Sequence, residues 1–263
     1  MAVDDATVVQ RQPDGSITAT SCASTGGAAV TNIDTIDIHN ESGGRVFPRI
    51  DLSNGGFAPG ATPEASGLSE IEFNIDSIGE GVLNISGTST RDVISVGARG
   101  VALNTDADAD VTLIGAPFVV VDTQAGNDAI TAQGGHGAGV DYSGHVQAEG
   151  GLGADVLTGS DLGSAFLEGG PGADHVNGTA RSTAGYLSSA AGVTVNLAAD
   201  TASGGDASGD ILSGAFGGVL GSDSADHLTA DADGAVSRQR GATTRSLEGT
   251  DPIRSRAALG QTR

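Results

Sequence analysis

The sequence predicts an all-β fold: a parallel β-roll or β-solenoid with an irregular, β-rich N-terminal half. Three observations lead to this prediction. Apolar and polar residues alternate over short segments, which is typical of strands with one buried face. Glycine-rich units of nine residues recur in the second half of the chain, as in solenoids that stack short strands. No segment has the periodicity of an amphipathic helix.

The first half of the chain divides into two parts. Residues 1–30 are polar and small with little pattern, and we expect a ragged N-terminal segment or an incomplete first turn. Residues 31–121 contain short alternating runs, such as Ile71, Phe73 and Ile75, separated by Gly, Asn, Asp and Ser. This spacing predicts an irregular β-solenoid region over 31–121.

The repeat unit is clearest at residues 150–158 and 169–177, which both fit the pattern G-G-x-G-x-D-x-U-x, where U is a large apolar residue. Glycines allow tight turns and close approach of neighbouring backbone. The Asp offers a hard carboxylate oxygen, and U points inward from a short strand. We therefore predict a metal-binding β-roll over residues 122–236, with an insert at 179–220. The candidate site residues in these two units are Gly150, Gly151, Gly153, Asp155, Gly169, Gly170, Gly172 and Asp174.

Two partial copies of the unit add Asp128 and Asp226 as candidates. Asp155 and Asp174 lie 19 residues apart, close to two units, so we expect them to stack and form the best site. Asp128 is three units from Asp155 and is expected on the opposite edge. Asp226 would need a following repeat or an irregular partner such as Asp231 or Asp233. The alternative for every Asp is a turn residue that bonds its own backbone.

Composition limits the classes of function. The chain has 33 acidic residues against 12 basic ones, all Arg, for a net charge of −21. Such a chain should repel nucleic acid and anionic membranes and attract divalent cations. Aromatic residues are only 3% and Trp is absent, which disfavours a conventional core with aromatic anchors. Cys22 is the only cysteine, so no intramolecular disulfide can form. No apolar run is long enough to span a membrane.

The C-terminal segment 237–263 departs from the rest of the chain. The last 26 residues hold six of the 12 Arg and only two acids, and the repeat disappears there. One interpretation is a disordered basic tail. A second hypothesis is a slip of reading frame, because residues 242–254, back-translated and shifted by two bases, can read DDTLAGGDGSD. Sequencing the DNA across this region decides between them.

The repeats at 123–178 and 221–229 resemble the RTX (repeats-in-toxin), haemolysin-type calcium-binding β-roll family of secreted bacterial proteins. The segment from Tyr186 to Gly214 resembles the inserts found between repeat blocks in large extracellular members. The resemblance implies a right-handed parallel β-roll. It also implies that Ca²⁺ lies between turns stacked two units apart.

The resulting expectation is an extracellular, secreted module that folds on binding Ca²⁺, has a structural or adhesive role and is not an enzyme. Expected partners are calcium ions and cell-surface or extracellular matrix components, without nucleic acid or membrane insertion. The residues after Met1 do not form a signal peptide, so either it has been removed, the chain is a fragment, or export uses another route.

The alternative is the repeat-bearing part of a secreted calcium-dependent enzyme acting on polysaccharide or protein. The sequence has no Lys, no H-E-x-x-H and no G-x-S-x-G. The five histidines lack metal-ligand spacing and are expected at the surface.

Overall fold

The computed structural model describes residues 7–20, 27–39, 45, 47–63, 69–76, 81–230 and 236–238. These residues form 22 strands and two short 3-10 segments, Leu197–Ala199 and Gly205–Ala207, with no α-helix among them. The all-β prediction is confirmed. Within these ranges, no helix has the length and apolar character needed to cross a bilayer.

The strands are short, with three to five residues each. In chain order they are β1 (Val8–Arg11), β2 (Ile17–Ala19), β3 (Thr35–His39), β4 (Arg49–Asp51), β5 (Glu72–Asp76), β6 (Val82–Ser86), β7 (Val93–Gly97), β8 (Gly100–Ala102), β9 (Val111–Leu113), β10 (Phe118–Asp122), β11 (Ala129–Thr131), β12 (His145–Glu149), β13 (Val156–Thr158), β14 (Ser164–Glu168), β15 (His175–Gly178), β16 (Ser182–Gly185), β17 (Thr194–Asn196), β18 (Thr201–Ser203), β19 (Ile211–Gly214), β20 (Gly218–Leu220), β21 (His227–Thr229) and β22 (Val236–Arg238).

The strands form two large, mostly parallel sheets. The ten-stranded sheet has the order β2-β1-β4-β6-β10-β12-β14-β16-β20-β22. The twelve-stranded sheet has the order β21-β17-β18-β19-β15-β13-β11-β7-β8-β9-β5-β3. Antiparallel pairs occur only where short hairpins are added among the described strands: β1–β2, β7–β8–β9 and β17–β18–β19.

From β10 to β16, consecutive strands alternate between the two sheets. Each passage of the chain therefore adds one parallel strand to each sheet. The register is regular, since Val119 pairs with Val146 and Val146 pairs with Ala165 in the ten-stranded sheet. In the twelve-stranded sheet, β11 pairs with β13 and β13 with β15 in the same way. This alternation places all turns of one type at one edge of the molecule.

The core follows from the two-residue period of the strands. In the twelve-stranded sheet, Ile130, Leu157 and Val176 point inward and are at most 2% exposed. Val119 and Val146 do the same in the ten-stranded sheet. The inward side chains of both sheets belong to one buried cluster, so a thin aliphatic layer holds the sheets together.

Two segments contain more structure than the sequence pattern indicated. Within the predicted ragged segment 1–30, β1 and β2 form an antiparallel pair and β1 continues in parallel with β4. Within the predicted insert 179–220, strands β16, β19 and β20 continue the two sheets. The predicted basic tail lies outside the described residues except for the end of β22.

Replacing Leu157 by Ala should lower the free energy of unfolding by about 2–5 kcal/mol, because it removes buried apolar atoms and leaves a cavity between the two sheets. Leu157 is fully buried in β13, whereas Leu162 is 58% exposed. Urea unfolding followed by circular dichroism measures the change, with Leu162→Ala as the control. Equal effects of the two substitutions would contradict the packing described here.

Candidate metal centre

Five aspartates lie one above another at the edge where the chain passes from the ten-stranded to the twelve-stranded sheet. We call Asp92, Asp128, Asp155, Asp174 and Asp210 the aspartate ladder. Each residue immediately precedes a strand of the twelve-stranded sheet, namely β7, β11, β13, β15 and β19. Because these strands are parallel neighbours in register, the five residues share one line.

Hydrogen bonds connect the ladder along its whole length. In every step the backbone N–H of one Asp donates to Oδ1 of the next Asp in the ladder. The N···Oδ1 distances are 2.7 Å from Asp92 to Asp128 and 2.7 Å from Asp128 to Asp155. They are 2.9 Å from Asp155 to Asp174 and 3.0 Å from Asp174 to Asp210. One carboxylate oxygen of each acceptor is thus used to hold the turn of the preceding coil.

The second carboxylate oxygen, Oδ2, of each of the three inner residues does not hold a turn in this way. Asp128, Asp155 and Asp174 are each 1% exposed, and the Oδ2 atom of each is buried without a hydrogen-bond partner. Burying a carboxylate oxygen without a partner is costly, since transfer from water removes strong hydrogen bonds. The Oδ2 atoms of the inner ladder therefore lack a nearby hydrogen-bond donor or positive charge that would stabilise them.

Protein donors satisfy both ends of the ladder. Asp92 Oδ2 accepts a hydrogen bond of 2.8 Å from the backbone N–H of Thr88. Asp210 Oδ2 accepts one of 3.0 Å from the hydroxyl of Tyr186, a residue that is 2% exposed. Within the ladder, the Oδ2 atoms without a hydrogen-bond partner are therefore those of the three inner carboxylates.

The glycines of the nonapeptide explain how the turns approach so closely. A Cβ on Gly150 would overlap Oδ2 of Asp155, and one on Gly169 would overlap Oδ2 of Asp174. A Cβ on Gly153 would overlap the carbonyl oxygen of Gly126 in the preceding turn.

The same stacking recurs at the remaining glycines. A Cβ on Gly172 would meet the carbonyl oxygen of Gly153, and one on Gly170 would meet that of Gly151. Gly151 has a positive φ of 87° and faces the carbonyl oxygen of Gln124. The repeat glycines thus bring carbonyl oxygens and carboxylates of successive turns into one narrow space.

The structure brings Asp155 and Asp174 together, as their spacing predicts. The expectation that Asp128 lies on the opposite edge is wrong, because Asp128 donates directly to Asp155. Asp128 and Asp155 are 27 residues apart, and the segment between them forms one full coil because the connection from β11 to β12 is long. Three nine-residue units would correspond to one and a half coils, so counting units overestimated the number of coils by a half.

Asp226 lies on the same edge but outside the ladder. Its Oδ1 accepts hydrogen bonds from the backbone N–H of Val193, at 2.9 Å, and from the Ser222 hydroxyl, at 2.7 Å. The β17–β18 hairpin separates it from Asp210. Asp231 and Asp233, the irregular partners considered for it, lie outside the described residues.

Sequence reasoning missed Asp92 and Asp210 because neither follows an intact glycine pattern. A shorter signal marks them, namely Asp-x-U followed by Ser, Thr or Asn, where U is buried. It occurs as Asp92-Val-Ile-Ser and Asp210-Ile-Leu-Ser, and also after Asp128, Asp155 and Asp174. The pattern reflects the strand that begins after each ladder residue and not the turn before it.

Burial controls the protonation of the ladder. It raises the pKa of Asp174 to about 7, and the nearby carboxylates of Asp210, Asp155 and Asp206 add to the rise against the hydrogen bond from Asp155. Burial likewise raises the pKa of Asp92, Asp155 and Asp210. Without a cation, Asp174 would thus be partly protonated near neutral pH.

A second acidic group lies in the N-terminal half. Carboxylate oxygens of Glu70, Asp106 and Asp108 all lie within 4.8 Å of one another, and this cluster could hold a metal ion. Asn104 Nδ2 donates to Glu70 Oε1 at 2.8 Å and to Asp110 Oδ1 at 3.1 Å. Burial and the neighbouring Asp110 raise the pKa of Glu70 to about 9.

We call Glu70, Asp106 and Asp108 the acidic cluster. The alternating polar residues from Asn104 to Asp110 could have signalled it from the sequence. Glu70 could not have been assigned, because only the fold brings β5 beside β9.

Comparison of the chain with protein-family models, with curated proteins and with solved structures finds no match.

The raised pKa values predict how the stability of the metal-free protein depends on pH. The folded state binds protons more tightly than the unfolded state, whose Asp residues titrate near 3.8. Stability from Asp174 is therefore present in acid and is lost as the pH rises from about 4 through about 7. With metal chelated, the urea midpoint should be higher at about pH 5 than at about pH 8.

Asp174→Asn should reduce this pH dependence, since it removes the titrating group but keeps an oxygen acceptor. Asp161→Asn provides the matched control, because Asp161 is exposed in the turn between β13 and β14, at the other edge. A midpoint that rises from pH 5 to pH 8 would contradict this assignment.

Proposed function

We propose that this chain is an extracellular calcium-binding β-roll of the RTX type that folds on binding Ca²⁺. The observation that carries the proposal is the row of buried, unpartnered Oδ2 atoms on Asp128, Asp155 and Asp174. A cation between successive turns would supply the missing positive charge to all three.

The donor set favours calcium over other metals. The inner ladder offers carboxylate oxygens together with carbonyl oxygens of stacked glycine turns, such as those of Gly126 and Gly153. Calcium takes six to eight oxygen ligands in flexible geometry. Zinc prefers nitrogen and sulfur ligands, and magnesium keeps much of its water in strict octahedral geometry. Two turns are needed for one ion, because a single turn has too few oxygens.

A β-roll accounts for the arrangement of the strands and turns. Strands alternate between two parallel sheets, and six-residue turns stack on one edge at 123–128, 150–155 and 169–174. Bridges between Ala125 and Leu152 and between Gly153 and Gly172 align these turns directly above one another. In each of these coils, the ladder Asp therefore lies at the same position, directly before its strand of the twelve-stranded sheet.

Binding and folding are coupled in this proposal. Stacked carboxylates repel one another, and desolvation adds to the cost of keeping them charged. Bound Ca²⁺ removes the repulsion, so its binding free energy becomes folding free energy. Extracellular calcium modules commonly have Kd values of about 10⁻⁴–10⁻³ M.

The role that we propose is structural or adhesive and not catalytic. The net charge of −21 opposes binding to nucleic acid or insertion into anionic membranes. The partners would be calcium ions and cell-surface or extracellular matrix components.

We propose that the acidic cluster is a second calcium site. Its three carboxylates converge with Asn104 and Asp110 in one place, all oxygen-bearing side chains. Glu70 and Asp110 are 9% and 3% exposed, and burial, followed by the hydrogen bond and charge of Asp110, raises the pKa of Glu70 to about 9. A cation there would allow both carboxylates to be charged.

Asp155→Asn should weaken Ca²⁺ binding by at least about tenfold, as loss of a metal-site group commonly does. It should not destabilise the metal-free protein, because Asn keeps the Oδ1 acceptor for Asp128 and removes a repelling charge. Far-UV circular dichroism during a Ca²⁺ titration measures the first effect, with Mg²⁺ as the ion control. Chelated urea unfolding measures the second.

Asp161→Asn removes the same charge from the other edge and should leave Ca²⁺ affinity nearly unchanged. If Asp155 served only as the acceptor for the Asp128 N–H, Asp155→Asn would leave the Ca²⁺ affinity unchanged, and that result would contradict the proposal. Tyrosine emission provides an independent signal, since the chain has no Trp and only two Tyr. Tyr186 bonds to the ladder, whereas Tyr142 donates to Pro117 O elsewhere. The Ca²⁺ response should survive Tyr142→Phe.

Asp106→Asn should remove the calcium bound at the acidic cluster and leave the ladder sites intact. Equilibrium dialysis with ⁴⁵Ca²⁺ should therefore show one ion fewer per chain, while the tyrosine response persists. An unchanged stoichiometry would show that the acidic cluster holds no calcium.

A further inference from the structure

A groove lies on the outer face of the ten-stranded sheet, beside the turns that carry the aspartate ladder. Its volume is about 480 Å³. Apolar walls are provided by Leu152, Phe166 and Leu187, of which Leu152 is 60% and Leu187 38% exposed. No Lys, Arg or His is among the residues that line it. The groove thus combines an apolar surface with uncompensated negative charge.

The charge comes from three carboxylates in a straight row, Asp122, Glu149 and Glu168. They end strands β10, β12 and β14, and the register pairs Asp122 with Glu149 and Glu149 with Glu168. Neighbouring strands lie about 4.8 Å apart, so the row has that repeat along the sheet. We call it the carboxylate row.

Protein donors hold each member of the row by one oxygen. The Gln124 backbone N–H donates to Asp122 Oδ1 at 3.0 Å, and Gln147 Nε2 donates to Glu149 Oε1. The backbone N–H and hydroxyl of Ser188 donate to Glu168 Oε1 at 2.6 and 2.7 Å. The row is therefore positioned before any ligand arrives.

The register places the three carboxylates beside one another on adjacent strands, so their like charges repel one another. A ligand with positive charges at the same repeat would relieve this repulsion. An apolar spacer between its charges would pack against the groove walls.

We propose that this groove binds a linear polyamine whose ammonium groups align with the carboxylate row. Successive nitrogens joined by three carbons are about 5 Å apart when bonds of about 1.5 Å are extended. That distance matches the strand spacing of about 4.8 Å. The methylene segments would contact Leu152, Phe166 and Leu187.

The repeat also argues against an extended basic peptide as the occupant. Side chains on one face of an extended peptide recur every two residues, or about 6.6 Å. The spacing of the basic side chains of such a peptide would therefore not match the spacing of the three carboxylates. The nitrogens of a triamine with three-carbon spacers match that spacing.

Isothermal titration calorimetry at physiological salt with bis(3-aminopropyl)amine provides the test. Bis(hexamethylene)triamine is the matched probe, since it has the same number of amines on longer spacers. We expect the short-spaced triamine to bind about fivefold to tenfold more tightly, which corresponds to two additional exposed ion pairs. Equal affinities would overturn the proposal, because they would indicate only general attraction to an acidic protein.

Glu149→Gln removes the centre of the row and should weaken binding of the short-spaced triamine about fivefold. Asp122→Asn is a second variant that keeps the Oδ1 acceptor for Gln124. Asp161→Asn, with an equal change of net charge at the other edge, should have little effect. Equal losses in all three variants would overturn the proposal.

The groove and the aspartate ladder use different carboxylates, so the two proposals fail separately. The titration is repeated in saturating Ca²⁺ on protein with a folded β spectrum. Retained triamine binding supports a polyamine groove. Competitive loss of binding in Ca²⁺ would identify the carboxylate row as another metal site and overturn the proposal.

Discussion

At the edge of this molecule, every coil must turn from one sheet to the other, and the backbone N–H that begins the next strand must find an acceptor. The aspartate of the neighbouring coil provides it through Oδ1, at 2.7–3.0 Å throughout the ladder. The geometry that satisfies the backbone also stacks carboxylates of like charge in a buried row. Oδ2 of each inner residue is left without a hydrogen-bond partner.

This constraint separates the invariant part of the structure from the variable part. The turns at 87–92, 123–128, 150–155 and 169–174 each have six residues, of which the ladder Asp is the last. Successive ladder residues are nevertheless 36, 27, 19 and 36 residues apart. The differences in length are taken up by the added strands β8, β9, β17 and β18 and by the long connection between β11 and β12.

The sequence therefore predicted the turns better than the coils. The glycine pattern identified Asp155 and Asp174, because close stacking excludes any side chain at those glycines. It did not identify the edge on which Asp128 lies, since the long connection after β11 completes a coil without adding a repeat unit. The turn before Asp92 keeps only the first glycine of the repeat, Gly87, and its place in the ladder follows from the pairing of β7 with β11. Glu70 meets Asp106 and Asp108 only through tertiary structure, which local spacing cannot show.

Two kinds of carboxylate site share the same turns. Residues 150–155 and 169–174 enclose the ladder oxygens on one side, while Leu152 and Gly170 line the groove on the other. The enclosed side is too narrow for anything larger than an ion, because even a methyl group at the turn glycines would overlap a carboxylate or carbonyl oxygen. The open side has room for an extended ligand and carries its own row of charge. Since one backbone forms both walls, any ligand that fixed the spacing of the ladder would also fix the spacing of the groove.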